Sequence, residues 1–187
     1  TLMNIYKRLL LGILLLLLAP LVQARPLVQE FFVTLPEDQV QKALKSLYTG
    51  IGAQMQTVIS IVVTADNTYI NYDHWEDGYE VDLENPIQSS TEVWGPFDKG
   101  HVVALRNPVD LPRNPSIVKY DGRDRFGASI AVVASRAEWA TSPGPVLAGA
   151  AEMLAIRDYG TDFKMPVGQN MSAIGNSMFE FVDMLIV

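Results

Sequence analysis

Residues 57–64 read Thr-Val-Ile-Ser-Ile-Val-Val-Thr, a run of β-branched side chains whose stiffness at χ1 suits a pleated strand better than a helix. Ala65, Asp66 and Asn67 follow as turn chemistry, and residues 68–73 alternate again, so 57–73 reads as a β-hairpin. Short strand patterns then recur at 79–83, 91–94, 101–105, 116–119, 129–135, 146–155, 162–165 and 179–187, most of them separated by glycine- or proline-bearing turns. The alanines of 148–156, with Met153 and Leu154, suit a helix equally well.

One segment breaks the β pattern. Pro36 stands at a first helical position, Glu37 and Asp38 fall in the first turn, and Val40, Ala43, Leu44 and Leu47 share one face. Lys42 and Lys45 lie toward the other end, and Gly50 and Gly52 mark the exit. One short amphipathic helix among many short strands predicts a mostly β chain, antiparallel and β-sandwich-like, rather than a βαβ fold.

The first residues carry a different message. Lys7 and Arg8 precede an unbroken apolar run over 9–18, closed by Pro20 and Gln23, with small residues at Val22 and Ala24. This is the layout of a secretion signal cut after Ala24, because a membrane span needs about 20 apolar residues. The expected organisation is a signal peptide at 1–24, a helical lead-in at 25–56 and a β-sandwich-like module at 57–187. Met3 reads as the initiator, and the strand pattern at 179–187 reads as one that continues into further sequence.

The chain has no cysteine, which removes disulfide staples, thiol catalysis and thiolate zinc sites together. Loss of Lys7 and Arg8 with the leader takes the formal charge from −7 to −9, which disfavours nucleic acid and anionic membranes as partners. Charge is also segregated. No Lys or Arg occurs over 46–98, which holds nine carboxylates, whereas 99–125 holds six basic residues against Asp110, Asp121 and Asp124. Either the two segments neutralise one another in the fold, or the acidic one gathers a cation.

The densest passage is Tyr72-Asp73-His74-Trp75-Glu76-Asp77-Gly78-Tyr79-Glu80-Val81-Asp82. Three readings fit it. It is a hairpin tip turning at Asp77-Gly78, with its acids solvated. It is a calcium loop, with Asp73, Glu76, Asp77, Glu80 and Asp82 offering oxygens, although the spacing is not that of an EF-hand. Or it is a glycan site in which His74, Trp75 and Tyr79 bind sugar and two acids do acid–base work. His74 and His101 are the only histidines, and no zinc-protease, nucleophile-elbow, phosphate-loop or dinucleotide motif is present. Asp121-Gly122-Arg123-Asp124 is a charged turn, able to pair Arg123 with the acidic segment or to set Asp121 and Asp124 near a cation. Arg136 and Glu138 suit a buried ion pair beside Trp139. Asn170-Met171-Ser172 is formally a glycosylation sequence.

The stretch from Asn67 to Glu80 resembles the N-terminal region of large bacterial surface proteins built of repeated β-sandwich modules. Asp121-Gly122-Arg123-Asp124, Ala131-Val132-Val133-Ala134-Ser135-Arg136, Gly149-Ala150-Ala151-Glu152, Tyr159-Gly160-Thr161 and Pro166-Val167-Gly168 are similar to the N-terminal domain of IgG Fc-binding proteins. The resemblance implies secretion, a β-sandwich, surface display or adhesion, and downstream modules of the same chain. It carries over no catalytic residue, and Fc binding is a property of site rather than fold. The expectation is therefore a non-enzymatic, secreted or cell-surface module that binds a protein or glycan on a surface. The alternative is a carbohydrate-binding or glycan-hydrolysing domain using the acidic aromatic loop.

Overall fold

A computed structural model describes residues 26–143 and 148–162, so the expected leader, all but the first residue of the strand pattern at 162–165, the pattern at 179–187, and Asn170-Met171-Ser172 lie outside the described residues. The elements run β1 (Gln29–Phe32), α1 (Glu37–Leu47), β2 (Gln54–Val63), β3 (Thr68–Asp73), β4 (Glu92–Phe97), β5 (Val102–Asp110), β6 (Arg125–Ala128), β7 (Val132–Ala140) and β8 (Ala148–Met153). Single 3-10 turns occupy Trp75–Asp77 and Ile156–Asp158. The strands form two four-stranded antiparallel sheets, β1-β6-β3-β4 and β5-β2-β7-β8. The fold is thus mostly β and sandwich-like, as its strand spacing predicts.

β2 shows why the sheets face each other. Met55, Thr57, Ile59, Ile61 and Val63 are buried while the residues between them are not, the period-2 signature of a strand with one covered face. Ile59 and Ile61 meet Ile70, Tyr72, Phe126, Phe31 and Ala134 in the main core, with the Phe31 and Phe126 rings stacked 4.7 Å apart. Val40 and Leu44 of α1 close one end of the sandwich against Ile51, Met55 and Ala140.

Several sequence expectations change. β2 and β3 are not a hairpin: β2 pairs with β5 and β7, β3 with β4 and β6, and residues 64–67 carry the chain from one sheet to the other. Both edges of β2 are taken, and alternation reveals a buried face without revealing the neighbour. The segments 79–83 and 116–119 are loops, and residues 148–153 are a strand rather than a helix. The lead-in 25–56 supplies more than a helix, since β1 pairs with β6 and β2 begins at Gln54. Asp77-Gly78 is no hairpin tip either. Gly78 (φ 90°, ψ 159°) ends a 3-10 turn in conformational space that only glycine occupies readily, inside an irregular connection over 74–91.

That connection folds back over the outer face of the first sheet. Asn71 and Asp73 point away from the core and are nonetheless buried, because the loop covers them: Asn71 Nδ2 donates to the Leu83 carbonyl at 2.6 Å and Glu80 N–H donates to Asp73 Oδ2 at 2.9 Å. Leu83, 3 % exposed, lies over Gly127, where a Cβ would fall 2.3 Å from Leu27 Cδ1 and 3.2 Å from Leu83 Cδ2. No helix among the described residues is long and apolar enough to cross a membrane.

Candidate functional site

Two loops meet at the end of the sandwich where β3 and β5 finish: residues 74–91 and residues 111–124. Asp124, fully buried, stands at their junction. Its Oδ2 accepts from Tyr72 Oη–H at 2.7 Å and from Asp121 N–H at 3.0 Å, and its Oδ1 accepts from Trp75 N–H at 3.3 Å. Burial pushes its carboxyl up, and the hydrogen bond to His74 pulls it back.

His74 is also buried, with Nδ1 2.9 Å from the Lys119 carbonyl and 3.5 Å from Asp124 Oδ2. A carbonyl only accepts, so Nδ1 carries the hydrogen. Nε2 faces Glu92 Oε1 at 3.7 Å. Burial alone would lower this imidazole, but Asp124, the Lys119 carbonyl and Glu76 outweigh it and push the group up to about 9. His74 is therefore an imidazolium at neutral pH, tied between the two loops.

The remaining cross-links are ionic. Arg113 donates from Nε to Asp121 Oδ2 at 2.5 Å and from Nη2 to Glu76 Oε1, and Lys119 N–H donates to the same Glu76 oxygen at 3.0 Å. Trp75 Nε1–H donates to Asp121 Oδ1 at 2.7 Å and Tyr79 Oη–H to the Arg123 carbonyl at 2.6 Å. The basic segment thus neutralises part of the acidic one, as Arg113 meets Glu76 and Arg125 meets Asp73 at 3.2 Å. Arg123 departs from that pattern and pairs with Asp38 on α1 at 2.6 Å.

The five carboxylates expected to share calcium do not converge. Asp73 holds Glu80 N–H and Arg125; Glu76 holds Arg113; Asp77 accepts from Ser90 Oγ at 2.5 Å. Glu80 accepts from the amides of Val81, Ile87 and Gln88, and Asp82 caps the turn through Glu84 and Asn85. Among the described residues the one grouping with ligand atoms close enough for a metal is His74, Glu76 and Asp124, within 4.8 Å of one another. It does not fit a cation well. Nδ1 of His74 is protonated toward a carbonyl, and both Asp124 oxygens already accept hydrogen bonds.

The aromatic candidates are engaged too. The guanidiniums of Arg113 and Arg123 lie over the Trp75 ring, 5.7 and 5.4 Å from its centroid, and Arg125 lies over Tyr79 at 5.6 Å. Sequence reasoning missed Arg113, Glu92 and Tyr120, whose hydroxyl reaches Glu92 at 3.1 Å. The segregation of basic from acidic residues is the signal that pointed toward Arg113.

Among the side chains the loops leave outside, two aliphatic ones stand out. Val81 is 93 % exposed and Ile87 is 87 % exposed. Both backbone amides hydrogen-bond the single buried Glu80 carboxylate, at 3.2 and 2.9 Å, so the backbone at both positions is tied to one anchor. Tyr79, Ile117 and Val118 are further exposed apolar residues on the same pair of loops.

The fold and this end together define a β-sandwich-like domain with a cross-linked loop pair at one end. No family model matches the chain, and no curated protein or solved structure matches it.

Proposed function

We propose that this chain is a non-enzymatic, adhesin-like module of a secreted or cell-surface bacterial protein, binding a partner through the 74–91 and 111–124 loops. One observation carries the reading: the loops are pinned by buried charge at their base, yet hold Val81 and Ile87 out in water. Exposed aliphatic side chains on an ordered loop are a cost in the free protein that a partner removes, and an ordered loop loses little entropy on docking. The leader pattern and the absence of cysteine support an exported bacterial chain.

The carbohydrate alternative draws less support, because Trp75 and Tyr79 are engaged by the protein's own arginines. The reading includes no calcium, since the carboxylates of 73–82 serve separate donors.

Two measurements test it. Expression of the full chain, followed by N-terminal sequencing of exported material, is expected to give Arg25 as the first residue; retention of an intact leader in the cytoplasm would refute export. Adhesion of cells displaying the domain to a panel of immobilised surface proteins and polysaccharides is expected to fall in Val81→Ser/Ile87→Ser. Adhesion indifferent to these positions, or hydrolysis of any polysaccharide, would overturn the binding reading.

A further inference from the structure

The loop that displays Val81 and Ile87 also concentrates uncompensated negative charge. Asp77 and Asp82 are exposed and Glu84 half-buried, and none of the three meets a cation among the described residues. The sequence supplies no Lys or Arg over 46–98 to offset them. On the facing loop, Arg113 and Arg123 are committed to carboxylates, and Lys119 is half-buried with its backbone N–H on Glu76. The three acids are held too: Asp77 by Ser90, Asp82 by the Glu84 and Asn85 amides, and Glu84 by the Leu27 amide at 3.0 Å. The result is two exposed aliphatic side chains on an anchored backbone, in a loop with three hydrogen-bonded carboxylates.

Resting on the binding reading above, we propose that this loop docks a basic protein segment, one that presents Lys or Arg beside aliphatic side chains. Each alternative occupant lacks a matching feature. An anionic membrane surface is repelled by Asp77, Asp82 and Glu84. A sugar needs open aromatic faces, and the protruding residues are aliphatic. A basic segment answers both features at once, its cations meeting the carboxylates and its apolar residues covering Val81 and Ile87.

The test uses the chain without its leader and three immobilised probes: an amphipathic lysine–leucine peptide, its glutamate–leucine counterpart, and phosphatidylglycerol vesicles. Binding is read by interferometry at low and moderate salt. The lysine–leucine peptide is expected to bind and the other two not. Val81→Ser/Ile87→Ser should weaken that binding at least tenfold with an unchanged melting temperature, and Asp77→Asn/Asp82→Asn should flatten its salt dependence. Val62→Ser/Val133→Ser, on the outer face of the second sheet, is the control for exposed aliphatic surface elsewhere on the protein and should change nothing. Equal weakening by loop and control variants, preference for the vesicles or the acidic peptide, or no binding at all overturns the proposal. If loop-dependent adhesion to surface proteins persists while the lysine–leucine peptide fails, the partner class is wrong and the binding reading survives. If loop dependence is absent in both assays, both fail.

Discussion

Asp124 illustrates how a carboxylate can be conspicuous in the sequence while its role is not. Its donors come from Tyr72 and Trp75, about fifty positions away, as well as from Asp121 nearby. Composition and spacing mark the acids of 73–82 and 121–124 as unusual; they do not say that backbone amides and arginines, rather than an ion, would satisfy them. Asp124→Asn tests the assignment. The amide would place a donor where Tyr72 and Asp121 already donate, and would remove the anion facing His74. Breaking a buried charged pair of this kind costs about 3 kcal/mol, read as a lower midpoint in urea. His74 separates this from mere loss of packing. Its titration, followed by the ring proton resonances, should fall from about 9 once burial is no longer outweighed by Asp124. An unshifted titration would show that the charge of Asp124 does not hold the imidazolium. Calcium bears on the same carboxylates. Millimolar calcium is expected to leave the melting temperature unchanged, and a rise of several degrees would show that the acids do gather an ion.

At the scale of elements, the helix and the strands of six residues or more were legible in whole or in part, and the four-residue strands β1 and β6 were not. α1 announces itself through Pro36, its acidic first turn and the Val40/Leu44 face, and β2 through its β-branched run. β6 is only Arg-Phe-Gly-Ala, with a glycine where Leu27 and Leu83 press on the sheet, so no propensity marks it. The Arg136–Glu138 ion pair was legible, since both lie on the inner face of β7; Trp139 belongs to the outer face, with Arg106 over its ring at 5.7 Å. What the sequence could not convey is that Arg136 also reaches Glu37, tying α1 to the second sheet. Glu37 in turn accepts from Gly122 N–H at 3.2 Å, and a Cβ on Gly122 would fall 2.5 Å from Pro36 Cα and 2.9 Å from the Leu35 carbonyl. Backbone atoms on that side leave nowhere to relax. Gly122→Ala is therefore expected to cost about 1–3 kcal/mol and to lower amide-exchange protection in α1 before that of β2. Loss spread evenly over both elements would show that the contact does not govern the seating of the helix.

For the whole molecule, the buried titratable groups tilt stability in one direction with pH. Burial outweighs the attraction of Arg136 and pushes Glu37 up to about 7 and Glu138 to about 8. Over this range the folded protein holds protons on these carboxyls more tightly than the unfolded chain does at its ordinary value of 4.5. The unfolded state then binds fewer protons, and stability falls as pH rises from about 4.5 to about 8. His74 adds to the slope. Its folded value lies above its ordinary 6.5, so its contribution is complete below that pH and is lost as pH rises through about 9. The melting temperature is thus expected to decline from weakly acidic to alkaline pH. General repulsion in a chain of formal charge −7 acts in the same direction. Salt separates the two causes, because about 0.5 M salt screens surface charges to within a few ångströms and screens buried groups far less. The decline should survive at high salt, and Glu138→Gln should flatten it between pH 4.5 and 8 while leaving the limb near pH 9 that belongs to His74. A profile made level by salt alone would assign the effect to the surface instead.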